Sequence, residues 1–356
     1  MKQLPIVSAM LAETRRLGVQ NSFDALEAWK AKEAIRLGGD LAHGVSFGEV
    51  DQEFIDLMKI HNVAQTSTLI GPLRFYSGKS GHLTYTDIEI LVADPDLTAH
   101  TYDIHQIADE LILPGYLASP FDGMTLEDAS KQPIYLDEFN RTVENEAILH
   151  KAGVRMGLGT DAAIAGVPFG PSIIAEMELH LQAGVTPLEV MTMATINNAH
   201  VMGLDEQLGT VTPGKFADLL LLSADPRDDV LNLAKIDLVF VGGTPVDPDT
   251  LNRDTPKDVA TRLRTAINGN RSGALHALLD KTAELIDENG KRYRGPQQII
   301  NYFEDDMKER RYHYALHTTV DGRRVVQKED WQEKGVQTVT YDVNEALKVS
   351  KIKVRR

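Results

Sequence analysis

The 356-residue sequence predicts an α/β protein built on parallel strands, followed by a separate α+β unit. Three observations predict it. Amphipathic helical stretches alternate with short apolar strand-like runs through the first two thirds, the pattern of a parallel sheet with helical crossovers. The charge balance then changes sign, with 17 Lys and Arg against 37 Asp and Glu up to residue 254, and 20 against 15 beyond it. The last hundred residues place helices first and a run of strands afterwards, which is an α+β order in its own right.

Taken in order, residues 24–37 (DALEAWKAKEAIRL) put Leu26, Trp29, Ala34 and Leu37 on one helical stripe, and a Gly-Gly stop leads to the short strand LAHG. A second amphipathic helix over 49–60 precedes the strand VAQTSTL. Residues 71–133 are rich in Gly, Pro and Asp and read as an insertion or lid. A helix over 144–152 leads into GVRMGLGTDA, a strand ending on an acid. Helices over 172–183 and 187–202 follow, then LGTVTPGKFADLLLLSADP, read as short antiparallel strands joined at a Pro-Gly turn, and the strand VFVGGTPV. Beyond the turns at 247–256, ALHALLDKTAELI reads as a helix, DENGKRYRG as a turn and PQQIINYFEDDM as a helix. Three strand-like runs follow, around YHYALHTTV, GVQTVTYDV and VSKIKVRR.

Composition narrows the chemistry. There is no cysteine, so disulfides and thiolate metal sites are excluded and a metal would rest on His, Asp, Glu or a modified Lys. A net charge of −15 argues against nucleic acid, whose phosphates need a basic face. No apolar run approaches the roughly 18 residues of a membrane span, and the first residues carry no signal-peptide pattern, so a cytoplasmic protein without membrane contact is expected.

Three segments, in this order along the chain, carry a resemblance. They are GGDLAHGVSFGEVDQEFIDLMKIHNVAQTSTL, LHKAGVRMGLGTDA, and GVTPLEVMTMATINNAHVMGLDEQLGTVTPGKFADLLLLSADP. Together they resemble the C-terminal half of the amidohydrolase superfamily, most nearly its imidazolonepropionase-like and prolidase-like branches. The resemblance implies a partial (β/α)₈ barrel of about strands 5–8 over residues 1–205, with strands of the family's β-sandwich over 206–250.

It also implies a function, the metal-dependent hydrolysis of carbon–nitrogen bonds other than standard peptide bonds in a small-molecule substrate. Strand C-termini of such barrels face the catalytic side, so His43 and Asp161 would project into one site. By resemblance both would be ligands of a divalent metal, zinc first. Asp161 would also take the proton from the attacking water, and His43 would bind a second metal or orient the substrate carbonyl. His82, His100 and His105, in the lid segment, are candidates for substrate contact. Taken alone, a strand-terminal His more often caps a turn than serves as a ligand, and an Asp opening a loop is usually a turn or N-cap residue.

The chain departs from the family at several points. It has no His-x-His pair, and where strand 5 should end in His it reads Gln20, Asn21 and Ser22. Two ligands are fewer than the three of an ordinary catalytic zinc site. The expectation is a truncated, impaired hydrolase, completed by self-association or by a missing N-terminal half. Residues 255–356 resemble the NTF2-like or SnoaL-like family of α+β cones. There Tyr293, Tyr302, Tyr312, His313, Tyr314, His317 and Trp331 are the polar aromatics able to face a pocket or belong to the core. The competing function is therefore a non-catalytic remnant whose tail binds a small molecule or drives dimerisation.

Overall fold

The computed structural model describes residues 4–79, 85–96, 98–99, 134–162, 166–251, 254–308, 313–331 and 334–355. The chain divides into two compact units, one of Met1–Leu73, Gln132–Ala162 and Ser172–Leu251, the other of Arg74–Lys131, Ala163–Pro171 and Asn252–Arg356.

The first unit is organised by four parallel strands in the order β1 (Ser22–Phe23), β2 (Asp40–Leu41), β3 (Gln65–Ser67) and β4 (Met156–Leu158). Helices Ala28–Arg36, Gln52–His61 and Ile134–Lys151 alternate with them, as the sequence pattern predicts. Helix Gln52–His61 shows why the local code works. The Asp51 carboxylate accepts the Phe54 amide at its start, Asn62 closes it in the left-handed region at φ 52°, and Phe54, Ile55 and Met58 form its buried stripe. These side chains join Ile35, Leu41, Leu149, Met156, Leu158 and Val190 in one apolar core. Among the described residues the sheet stays open, so the barrel expected from the sequence is represented by an arc of four strands.

The free edge of β4 is closed by side chains. Asn198 accepts from Leu158 N (2.9 Å) and donates to Leu158 O (2.7 Å), while Asn197 donates to Met156 O (2.8 Å). Both asparagines face the strand because the helix beginning at Pro187 widens to a π-helical turn over Met193–Asn197. Gly157 permits the approach, since a Cβ there would lie 2.4 Å from Asn198 Oδ1. A small antiparallel sheet of β5 (Leu219–Leu222), β6 (Ile236–Val241) and β7 (Thr244–Val246) completes this unit. Residues 208–211, preceding the Pro-Gly turn and expected as strand, are bend and irregular chain.

The second unit carries a six-stranded sheet in the order β10-β11-β12-β13-β8-β9. Its strands are β8 (Leu279–Ile286), β9 (Arg292–Arg294), β10 (Tyr314–Asp321), β11 (Arg324–Asp330), β12 (Val336–Val343) and β13 (Val349–Arg355). Helices Pro256–Asn268, Ser272–Leu278 and Pro296–Lys308 supply the other half of its core, among them Leu263, Ile299 and Phe303.

Three readings of this region need correction. DENGKRYRG, expected as a turn, contains Arg292–Arg294, which pairs with β8 as β9. The expected helix ALHALLDKTAELI breaks after Leu278, and its second half is β8. Leu279, Ala283 and Leu285 are buried there while β13 and β9 supply hydrogen-bonded neighbours, and pairing overrides the helix propensity of Leu, Ala, Lys and Glu. β11 is the strand missing from the expected three, because its inward positions include Gln327 and Glu329 and so break the apolar alternation. Part of the expected lid also belongs to this core. The short helix Asp87–Val92 buries Ile90, and Arg262 caps its end through Ile90 O (2.8 Å) and Ala93 O (2.6 Å). No helix among the described residues is long and apolar enough to cross a membrane.

Candidate active site

Parallel pairing puts the C-terminal ends of β2, β3 and β4 at one end of the sheet. His43 follows β2 by two residues and is half-buried, with Nδ1 2.8 Å from Thr68 Oγ1 in the turn after β3. Its Nε2 has no hydrogen-bond partner among the described residues. Asp161 follows β4, exposed to solvent, in the left-handed region at φ 53°. Asp tolerates that region better than most residues, so the strain is modest. The turn after β3 links the two, because Ser67 O accepts Gly159 N at 2.8 Å, two residues before Asp161. His82, His100 and His105 lie outside the described residues. His61 ends its helix in solvent, and His150 and His200 face the carboxylates of Glu189 (3.6 Å) and Asp205 (3.4 Å), in keeping with structural roles.

Behind this turn lies a buried charge cluster that sequence reasoning passed over. Glu176 and His180, one turn apart on helix Ser172–Gln182, are fully buried, as is Glu146 on helix Ile134–Lys151. Glu176 accepts the backbone amides of Leu69 (2.9 Å) and Ile70 (2.6 Å), and His180 Nε2 lies 3.1 Å from it. Burial works against a charged His180, but its hydrogen bond to Glu176 and the charges of Glu176 and Glu146 outweigh that and raise its pKa. Glu146 receives Gln65 Nε2 at 2.5 Å, and burial pushes its carboxyl up to about 7. Gly44, beside His43, is required by this cluster, since a Cβ there would lie 2.4 Å from Glu146 Oε1. The i, i+4 spacing of Glu176 and His180 was the available signal, but a charged pair on an amphipathic helix ordinarily reads as a solvated face.

The second unit has a polar cluster of its own. His313 is buried, stacked on Trp331 at 4.2 Å between centroids, with Asp306 Oδ2 3.4 Å from Nε2. Glu329 accepts Trp331 Nε1 (2.7 Å) and the Tyr341 hydroxyl (2.5 Å). Burial pushes the Asp306 carboxyl up, but His313 and Lys334, the latter at 2.7 Å, outweigh that and hold it at about 2. Of the aromatics expected at a pocket, Tyr293 and Tyr302 line a shallow groove of about 480 Å³ with Lys291, Arg292, Gln298 and Asn301. His313 and Trp331 are core, and His317 faces solvent. Tyr312 and the side chain of Tyr314 lie outside what is described.

Residues 7–246 match the amidohydrolase family, and the chain belongs to that family. Its members are in general metal-dependent hydrolases of C–N bonds. Among curated relatives it is 35% identical over 100 residues to a 5-methylthioadenosine/S-adenosylhomocysteine deaminase of Symbiobacterium thermophilum, covering 24% of this chain and 23% of the relative. It is 37% identical over 71 residues to an imidazolonepropionase of Flavobacterium johnsoniae, covering 20% and 17%. Among solved structures, a Xaa-Pro dipeptidase with bound methionine in the active site aligns at TM-score 0.49 and 20% identity, over 68% of this chain and 48% of that one. The matches thus span about a quarter or less of these curated relatives and about half of that structure.

Proposed function

We propose that the first unit is a hydrolase module for a small molecule, acting on carbon–nitrogen bonds other than the standard peptide bond, or on a cyclic amide or dipeptide. The observation that carries the reading is the placement of His43 and Asp161 at the same end of one parallel sheet, in a chain of this family. In this reading Asp161 takes the proton from an attacking water, and Nε2 of His43 orients the substrate carbonyl.

The family's divalent metal, with zinc as the proposed ion, fits the described residues poorly. His43 and Asp161 would be two ligands where a catalytic zinc takes three, and no group of three His, Asp or Glu among the described residues is placed to hold an ion. The module is completed by a second copy or by a separately encoded first half. That partner would cover Ile6, Met10 and Leu17, spaced at helical intervals along helix Leu4–Leu17 and all exposed.

The test is zinc and hydrolysis per chain, measured across a gel-filtration profile for the native chain and for His43→Ala and Asp161→Ala. Little zinc on the monomer is expected, with more metal and turnover in the assembled species, both lost in the two variants. Stoichiometric zinc retained by both variants would remove the pair from the site. A second reading, a remnant whose tail binds a small molecule or drives dimerisation, is favoured by the groove lined by Tyr293 and Tyr302. It is the one left standing if no species carries metal or activity.

A further inference from the structure

We propose that Glu176 is a positioning residue for the candidate site, a buried carboxylate that clamps the turn after β3 and through it sets both His43 and the loop of Asp161. The inference rests on the reading of those two residues as the working pair.

Glu176 is 0% exposed, so its carboxylate has surrendered its water and must be compensated by the protein. Besides His180, the compensation comes from three residues of one four-residue turn, Ser67, Leu69 and Ile70. Leu69 N and Ile70 N donate to separate oxygens of the carboxylate at 2.9 and 2.6 Å, and Ser67 Oγ lies 3.4 Å from it. Thr68 is the residue in between, held by bonds on both sides of it, and its hydroxyl meets His43 Nδ1 at 2.8 Å. A hydrogen bond at one ring nitrogen fixes the imidazole rotation and selects the tautomer, which decides whether Nε2 presents a lone pair or a proton. On the other flank Ser67 O accepts Gly159 N at 2.8 Å. The fit is tight there, since a Cβ on Gly159 would lie 3.2 Å from Thr66 Cγ2 and 3.5 Å from Thr68 Cγ2. A shift of the turn would therefore be transmitted to the loop that carries Asp161. Helix Ile70–Lys79 begins at the clamped amides, and a negative charge at its start favours the same arrangement.

A carboxylate that merely stitched a helix to a turn would leave the His43 ring indifferent to its loss. Long-range proton–nitrogen spectra of the full chain separate the two roles, with the His43 ring signals assigned through His43→Gln. Thr68→Val should change the Nδ1 and Nε2 shifts of His43 and the amide signals of Gly159 and Asp161, and Thr68→Ser should restore them. Glu176→Gln, which keeps shape but presents an NH₂ group where one of the two amides needs an acceptor, should move the His43 signals in the direction of Thr68→Val. Perturbed Leu69 and Ile70 amides with an unmoved His43 ring in Glu176→Gln would overturn the proposal. Should that variant not fold, unmoved Gly159 and Asp161 signals in Thr68→Val would overturn it equally. None of these readouts needs metal or substrate, so hydrolysis surviving in His43→Ala and Asp161→Ala would sink the functional reading separately from the clamp.

Discussion

In the first unit Glu146 and Glu176 are buried behind strands two and three residues long, and much of what compensates them is backbone amide, side-chain amide and hydroxyl. In the second unit Asp306 is buried beside a sheet whose longest strands run to eight residues, and its partners are His313 and Lys334. The consequence is opposite titration. Burial dominates at Glu146 and pushes it up to about 7, whereas the two basic side chains dominate at Asp306 and hold it at about 2. Burial by itself therefore does not decide whether a carboxyl pKa rises or falls. The balance between burial and the charges and hydrogen bonds set against it does.

The sharpest way to break this contrast is Glu146→Gln. A carboxyl whose folded pKa is raised contributes stability in full below its unfolded value of 4.5 and loses it as pH rises to about 7. A tenfold difference in proton affinity between the folded and unfolded chain is worth about 1.4 kcal/mol, so the wild type should lose about 3 kcal/mol across that window. The glutamine variant should not. Denaturant unfolding at pH 4.5 and pH 8 checks this, and equal pH slopes in the two proteins would mean that Glu146 is ionised when folded.

Asp306→Asn tests the other side with a smaller effect. A depressed folded pKa gives stability that is present above the unfolded value of 3.8 and lost as pH falls through about 2. The expected contribution is about 2 kcal/mol at neutral pH, absent in the variant and vanishing from the wild type near pH 2. A variant as stable as wild type at pH 7 would show that His313 and Lys334 gain nothing from the charge.

The same contrast explains what could be read from the residues alone. The positions of His43 and Asp161, just beyond the ends of two parallel strands, were legible because each lies in a segment resembling a known family, and strand ends carry positional meaning. Glu146, Glu176 and His180 were not, because on a helix a buried charge and a solvated one follow the same periodicity, and only the packed neighbour distinguishes them. Glu329 hid β11 for a related reason, being a charged residue at an inward position of a strand. The break of ALHALLDKTAELI at Leu278 was illegible because β13 and β9, which pull its second half into the sheet, lie elsewhere in the chain.

Where the two units do obey one rule, the effect should be equal and small. Thr186 and Thr255 each precede a proline at the first helical position, and each accepts the amide of the residue three further on. Glu189 and Asp258 bond back to the threonine amides at 2.9 and 2.7 Å. These capping boxes are built from neighbours in sequence and lie in solvent, with His150 approaching Glu189 from another helix at 3.6 Å, so the surrounding sheet should alter their worth little. Thr186→Ala and Thr255→Ala should each cost about 1 kcal/mol, measured by denaturant unfolding at neutral pH. At acid pH the cost should shrink for Thr186→Ala, because its hydrogen bonds to Glu189 lower the carboxyl pKa and the bonds to the charged form weaken once it is protonated. A loss several times larger at one threonine than at the other would show that the tertiary setting reaches even the helix caps, and that the difference between the units is not confined to their buried charges.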